Sequence, residues 1–154
     1  MRAHAAGHGV AIEPRRFAAT TRTAQDAARE IGCDVAEIVK SLVFLADDQP
    51  VVVLCAGADR VDESRLKAAL GAGVVRRATA DEAKSATGYP IGGVPPFAHA
   101  GECRVVADAR LLGHAQVWAA AGLPDAVFPI APRDLIALAG ARVADVVEVA
   151  GAGR

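Results

Sequence analysis

The chain is expected to fold as a single α+β domain with a mixed central β-sheet flanked by helices. Three observations carry that expectation. Its 154 residues are 53% hydrophobic, enough for one proper core and too few for two comfortable domains. Helix and strand signals alternate along the chain, with no internal repeat and no low-complexity linker. Two apolar runs, from Ile38 to Leu45 and from Val51 to Ala56, flank a turn cluster from Asp47 to Pro50 and read as a hairpin in the middle of a sheet. Residues 1–150 form the expected domain and residues 151–154 a loose tail.

In chain order, Val10 to Glu13 and Phe17 predict a first strand interrupted at Pro14, which places it at an edge or makes it irregular. Thr23 is an N-cap for an Ala-rich helix that Gly32 closes. Asp34 to Glu37 repeats the cap-and-glutamate signature over one turn, just before the first hairpin strand. Beyond the hairpin, Asp62 caps a helix that Gly71 ends, Val74 to Arg77 is a short strand, and Thr79 with Glu82 forms a capping box opening a helix to Thr87. Arg104 to Ala107 is a strand stopped by Asp108, followed by a short helix over residues 109–112. Two more strands, 116–121 and 126–130, surround a turn from Gly122 to Asp125. Pro132 opens a helix that Gly140 closes, and residues 141–149 alternate weakly as a last strand.

Composition excludes several function classes. The net charge of -1 provides no global basic field for duplex binding, so a nucleic acid would be met by a local patch drawn from Arg15, Arg16, Arg22, Arg60, Arg65, Lys67, Arg76, Arg77 and Lys84. Such charges are more commonly a solvated face. Cys33, Cys55 and Cys103 lie far apart without a CxxC pair, so reduced thiols and a cytoplasmic location are expected. No apolar leader follows Met1 and no run reaches membrane-spanning length. HExxH, metal-spaced Cys/His clusters, GxSxG, GxGxxG and GxxxxGK[ST] are all missing, so neither a metal nor a cofactor is expected.

Two features remain. Lys40 places a cation near the start of an otherwise apolar strand, which is costly unless the amine is paired, snorkels to solvent, or is aimed into a cleft. In a cleft it is an electrophilic clamp for a carbonyl or phosphate oxygen. Residues 87–97 hold three glycines and three prolines, which exclude a helix or central strand and leave either a plain crossover or a rigid loop whose backbone N–H groups a ligand can approach. Tyr89, the only tyrosine, lies in this loop, and His99 lies two residues beyond it.

These blocks, Lys40 within Ile38 to Phe44, Gly57 to Asp62, Thr87-Gly88-Tyr89 leading to Gly92-Gly93-Val94-Pro95-Pro96, Asp108, and Pro132 to Leu135, resemble the YbaK/EbsC family. Its members are free-standing relatives of the editing domain inserted in bacterial prolyl-tRNA synthetases. The match spans about residues 17–148 in the family's order and spacing. The resemblance implies hydrolysis in trans of the ester on a mischarged tRNA, with a small amino acid such as alanine or cysteine on proline tRNA; the nearly neutral charge adds the expectation of an aminoacyl-tRNA synthetase as a further partner. It implies that Lys40 contacts the end of the charged tRNA and that the GxxxP loop, Gly92, Gly93, Val94, Pro95 and Pro96, holds the aminoacyl group. Asp108 is either a supporting residue that orients Lys40 or a helix N-cap, and Tyr89 and His99 complete the candidate substrate-binding set. Pro96 replaces a small polar residue common in the family's loop, which leaves pocket shape and amino-acid choice open. The competing reading is a module that binds a nucleotide or aminoacyl-tRNA end without hydrolysis.

Overall fold

The structure, a computed structural model, describes residues 7, 9, 12–16, 23–91, 93–122 and 126–148. Its strands are β1 (Arg15–Arg16), β2 (Val39–Ala46), β3 (Gln49–Ala56), β4 (Val75–Arg77), β5 (Arg104–Asp108), β6 (Val117–Ala120), β7 (Ala126–Ile130) and β8 (Arg142–Ala144). The helices are α1 (Ala24–Ile31), α2 (Glu63–Leu70), α3 (Ala80–Thr87) and α4 (Pro132–Ala139), with 3-10 turns at Val35–Glu37 and Ala109–Gly113. The α+β class is as expected. The strands divide between a five-stranded mixed sheet, β4-β2-β3-β5-β8, and a three-stranded antiparallel sheet, β1-β7-β6. A bridge between Ile38 and Trp118 joins the two.

The helix ends follow the caps read from the sequence. Thr23 accepts from the Asp26 N–H, Asp62 from Ser64 and Arg65, and Thr79 with Glu82 closes its capping box. Gly32, Gly71 and Gly140 end their helices in the left-handed region, where the lack of Cβ removes the steric penalty.

The central hairpin turns on two residues only. Asp47 and Asp48 both have positive φ, 47° and 66°, the conformation of a type I′ turn. Gln49 and Pro50 therefore belong to β3, which the turn-cluster expectation had left out. Pro50 is tolerated because pairing with β5 begins one residue later, at Val51 opposite Arg104, so no ladder donor is lost. The Asp47 carboxylate accepts from the Gly73 and Val74 N–H groups, which ties the turn to the start of β4 and holds the acid below its usual range.

Both faces of β3 are covered. Val51, Val52, Val53, Leu54 and Cys55 are all fully buried. Val52 and Leu54 join Phe97, Phe128, Leu111 and Leu135 in the core between the sheets and α4. Val51 and Val53 join Phe44, Leu66 and Val146 under α2. A smaller cluster seats α1, through Ala27 and Ala28, on Ile38 and Val127.

Two end strands differ from expectation. The first lies after Pro14, as Arg15–Arg16 against Val127 and Ala126, while the expected Val10, Ala11 and Phe17 lie outside the described residues. It sits at a sheet edge, where the preceding proline costs no hydrogen bond. The last strand stops at Ala144, because Val146 and Val147 drop into the core and Val147 bridges Val61 instead. Among the described residues no helix is long and apolar enough to cross a membrane.

Candidate functional site

Strand β2 is covered along one edge by β3 but only partly along the other. Strand β4 pairs with Phe44, Leu45 and Ala46, the Ala78 N–H reaches the Val43 carbonyl, and β6 touches at Ile38. Between these contacts the outer edge of β2 opens into a cleft of about 500 Å³. Its ends are formed by α1 through Thr23 and Ala27, by Trp118 of β6, and by Ile91 and Val94 of the Gly/Pro loop.

Alternation along β2 gives the cleft two unlike flanks. Lys40, Leu42 and Phe44 share the face that looks toward α2, with Lys40 opposite Cys55 and Phe44 opposite Arg77. The Arg77 guanidinium stacks over the Phe44 ring at 5.5 Å. Lys40 and Arg77 line the cleft from this side, and neither has an ion-pair partner among the described residues. Val39, Ser41 and Val43 face the opposite way, toward Val94 and Ala83.

The Lys40 ammonium donates to the main-chain carbonyl of Asp59, in the loop that leaves β3. One of its three donors is thereby used and two remain. Ser41 is the opposite case. Its Oγ is buried and has no hydrogen-bond partner among the described residues, a situation that costs about 1–3 kcal/mol unless a ligand completes it.

The cleft offers no obvious protein base. No Asp, Glu, His or Cys lies among its described lining residues. Burial pushes the Cys55 thiol up to about 11, outweighing the pull of Lys40, so it stays protonated at neutral pH. Cys33 and Cys103 are likewise raised, chiefly by burial. Among the described residues, no three His, Cys, Asp or Glu side chains are placed to hold a metal ion.

The sequence-predicted residues separate into two groups. Lys40 and Val94 meet in the cleft. Gly93, Pro95 and Pro96 are buried behind Val94, and the Gly93 N–H is already bonded to the Pro90 carbonyl at 3.0 Å, so it is not the free donor that composition led one to expect. Gly92 lies outside the described residues. Tyr89 packs against the core and donates to the Ala98 carbonyl at 3.4 Å. His99 sits with Nε2 2.7 Å from the Pro95 carbonyl, and burial lowers its pKa. Asp108 is buried, and its carboxylate accepts from the Arg110 and Val146 N–H groups. It forms no hydrogen bond to Lys40, so the N-cap alternative describes its geometry.

The basic patch is partly spent on structure. Arg76 is held by Glu82 through two 2.8 Å contacts and Arg65 approaches Asp62 at 3.6 Å, while Arg22 lies outside the described residues. Ser41 was not read from the sequence as a site residue, and Arg77 was read only as a member of the basic patch. The signal for Ser41 was its place beside Lys40 in an apolar strand, where alternation turns two consecutive polar side chains to opposite faces.

The proline–tRNA ligase of Ligilactobacillus salivarius is 38% identical over 92 residues, covering 60% of this chain but only 16% of the ligase. The uncharacterized protein YwhH of Bacillus subtilis is 30% identical over 120 residues, covering 77% of this chain and 76% of that protein. A crystal structure described as a proposed trans-editing enzyme for prolyl-tRNA synthetase superposes with a TM-score of 0.87 at 39% identity, over 96% of this chain and 91% of that one. The family model for the aminoacyl-tRNA editing domain matches residues 18–138, and the chain therefore belongs to the aminoacyl-tRNA editing domain family.

Proposed function

We propose that the chain is a trans-editing deacylase, which hydrolyses the ester between a small noncognate amino acid, such as alanine or cysteine, and proline tRNA. The observation that carries this reading is the cleft beside β2, with the cations of Lys40 and Arg77, which have no ion-pair partner among the described residues, on one flank and Ser41 and Val94 on the other. The cations suit the phosphate and developing oxyanion of a charged tRNA end, and the apolar flank suits a small side chain. The Gly92 to Pro96 loop borders the aminoacyl group, with Val94 as its contact in the cleft. Tyr89, His99 and Asp108 support the site from outside the cleft.

Water adds to the ester carbonyl carbon, the bond to the ribose oxygen breaks, and the water proton passes to that oxygen. With no acid or base among the described lining residues, a neighbouring ribose hydroxyl of the substrate relays the proton. Lys40 donates to the carbonyl oxygen as it gains charge, worth most where water is excluded. A protein of net charge -1 gains from a synthetase that delivers the tRNA, and this reading assigns the reaction to the cytoplasm, where tRNA is charged.

The lack of a protein base among the described lining residues also favours a second reading, a module that holds the charged tRNA end without turnover. Both are tested by hydrolysis of tRNAs charged with alanine, cysteine, serine and proline, using wild type and Lys40→Ala. Lys40-dependent release of one noncognate amino acid supports the deacylase. Lys40-dependent binding with no release supports the module.

A further inference from the structure

The hydrogen bonds along β2 fix which way its backbone faces. Gly57 donates to the Ile38 carbonyl on the β3 side, and Ala78 donates to the Val43 carbonyl on the other. Even-numbered residues of β2 therefore spend their main-chain groups on β3, and odd-numbered ones turn theirs outward. At Ser41 no described strand pairs on that outer side, because β4 pairs only from Phe44 and β6 only at Ile38. Ser41 thus borders the cleft with an outward N–H and C=O, and beside them lies a hydroxyl that is closed to solvent and has no partner among the described residues.

We infer that Ser41 is the residue that recognises the α-amino acid itself, its hydroxyl and outward carbonyl receiving the α-ammonium while its N–H points to the ester carbonyl. The inference rests on the deacylase reading for the identity of the ester and deepens it. Elimination supports it. The described side chains with polar atoms lining the cleft are Thr23, Lys40, Ser41, Arg77 and Trp118. Lysine, arginine and the indole only donate, and the Thr23 oxygen already caps α1 by accepting from Asp26. Among the described lining side chains, Ser41 is the acceptor that has no hydrogen bond yet.

Charge sorting fits as well. Lys40 projects from the opposite face of β2, so the cations attract the phosphate end of the substrate and the ammonium lies on the Ser41 side. Recognition by this residue accepts any α-amino acid small enough for the Val94 flank and rejects an acyl group that lacks the amine.

The test uses tRNA ending in 3′-amino-3′-deoxyadenosine, acylated through a stable amide with alanine or with propionic acid, which differ only by the ammonium. Wild type is expected to retain the alanyl form at least tenfold more tightly, a loss in keeping with one charge-assisted hydrogen bond. Ser41→Ala is expected to bring the two within about threefold, and Ser41→Thr, which keeps the hydroxyl, to restore the gap. Because the hydroxyl has no partner to lose, Ser41→Ala is also expected to unfold at the same or higher urea concentration. Equal retention of both tRNAs by the wild type, or discrimination that survives in Ser41→Ala, overturns the inference. Hydrolysis that proceeds with Ser41-independent discrimination sinks this inference alone. Discrimination that depends on Ser41 without hydrolysis sinks the deacylase reading and leaves Ser41 in place.

Discussion

The Lys40 ammonium is anchored by the backbone carbonyl of Asp59, while the Asp59 carboxylate turns toward Arg110 at 3.9 Å. A main-chain acceptor holds the amine without neutralising it and does not titrate. Position therefore depends on the loop from Gly57, not on the aspartate side chain. Asp59→Asn is expected to change single-turnover deacylation by no more than about twofold. Gly57→Ala is expected to act strongly, because its Cβ meets the Ala24 Cβ at 2.7 Å and the Val35 carbonyl at 2.8 Å. Overpacking of that kind costs about 1–3 kcal/mol in urea denaturation. The displaced loop should also slow turnover of the folded fraction about tenfold or more, a barrier change of about 1.4 kcal/mol. A Gly57→Ala protein with normal stability and rate would show that the loop does not set Lys40.

Asp108 joins the end of β5 to residues beyond β8 by accepting from Val146, 38 positions away, and from Arg110. Asp108→Ala leaves two N–H groups without their acceptor and is expected to cost about 2–4 kcal/mol, whereas Asp108→Asn keeps one oxygen and loses about half as much. Per folded molecule, the deacylation rate of Asp108→Asn should match wild type. A selective loss of rate with stability intact would instead return Asp108 to a role at the substrate.

Local chemistry was legible in the sequence, and long-range pairing was not. Thr23, Asp62 and Thr79 mark helix starts because a cap is made within one turn, and the structure keeps each of them. The separation into two sheets rests on Arg15 pairing with Val127, a contact across more than a hundred residues that no period in the sequence encodes. At the site, Lys40 was legible as a charge in an apolar strand. Ser41 was not, because its exposure to the cleft depends on β4 ending at Arg77 and leaving the edge of β2 uncovered. Gly/Pro content predicted a loop, yet it could not tell that Gly93 would spend its N–H on Pro90.

Glu82 ties α3 to β4 by gripping Arg76 while it also caps the helix through the Thr79 N–H. The Arg76 hydrogen bonds, followed by that from Thr79, pull its carboxyl down to about 2. A folded-state pKa below the ordinary 4.5 contributes stability above pH 4.5 that is lost as pH falls toward 2. Glu82→Gln is therefore expected to melt below wild type at pH 7, with the gap narrowing as the acid range is entered. Parallel melting curves of the two proteins from pH 7 to pH 3 would contradict the pairing.

His99 braces the loop that carries Val94, with its ring nitrogen 2.7 Å from the Pro95 carbonyl. Burial disfavours the charged ring and outweighs the opposing effect of that hydrogen bond, so the folded-state pKa lies below 6.5. Between that lowered value and 6.5 the unfolded chain binds the proton more readily than the folded one, so this group removes stability as pH falls below 6.5. At higher pH the imidazole is neutral in both states and contributes no slope. His99→Gln keeps an amide donor for Pro95 but cannot titrate. It is expected to flatten the decline of the urea midpoint from pH 7 to pH 5 relative to wild type, and to leave the rate at pH 7.5 nearly unchanged because the loop stays braced. An equally steep decline in both proteins would show that His99 titrates freely. A large rate loss at pH 7.5 with an unchanged midpoint would move the imidazole from bracing the loop to acting on substrate.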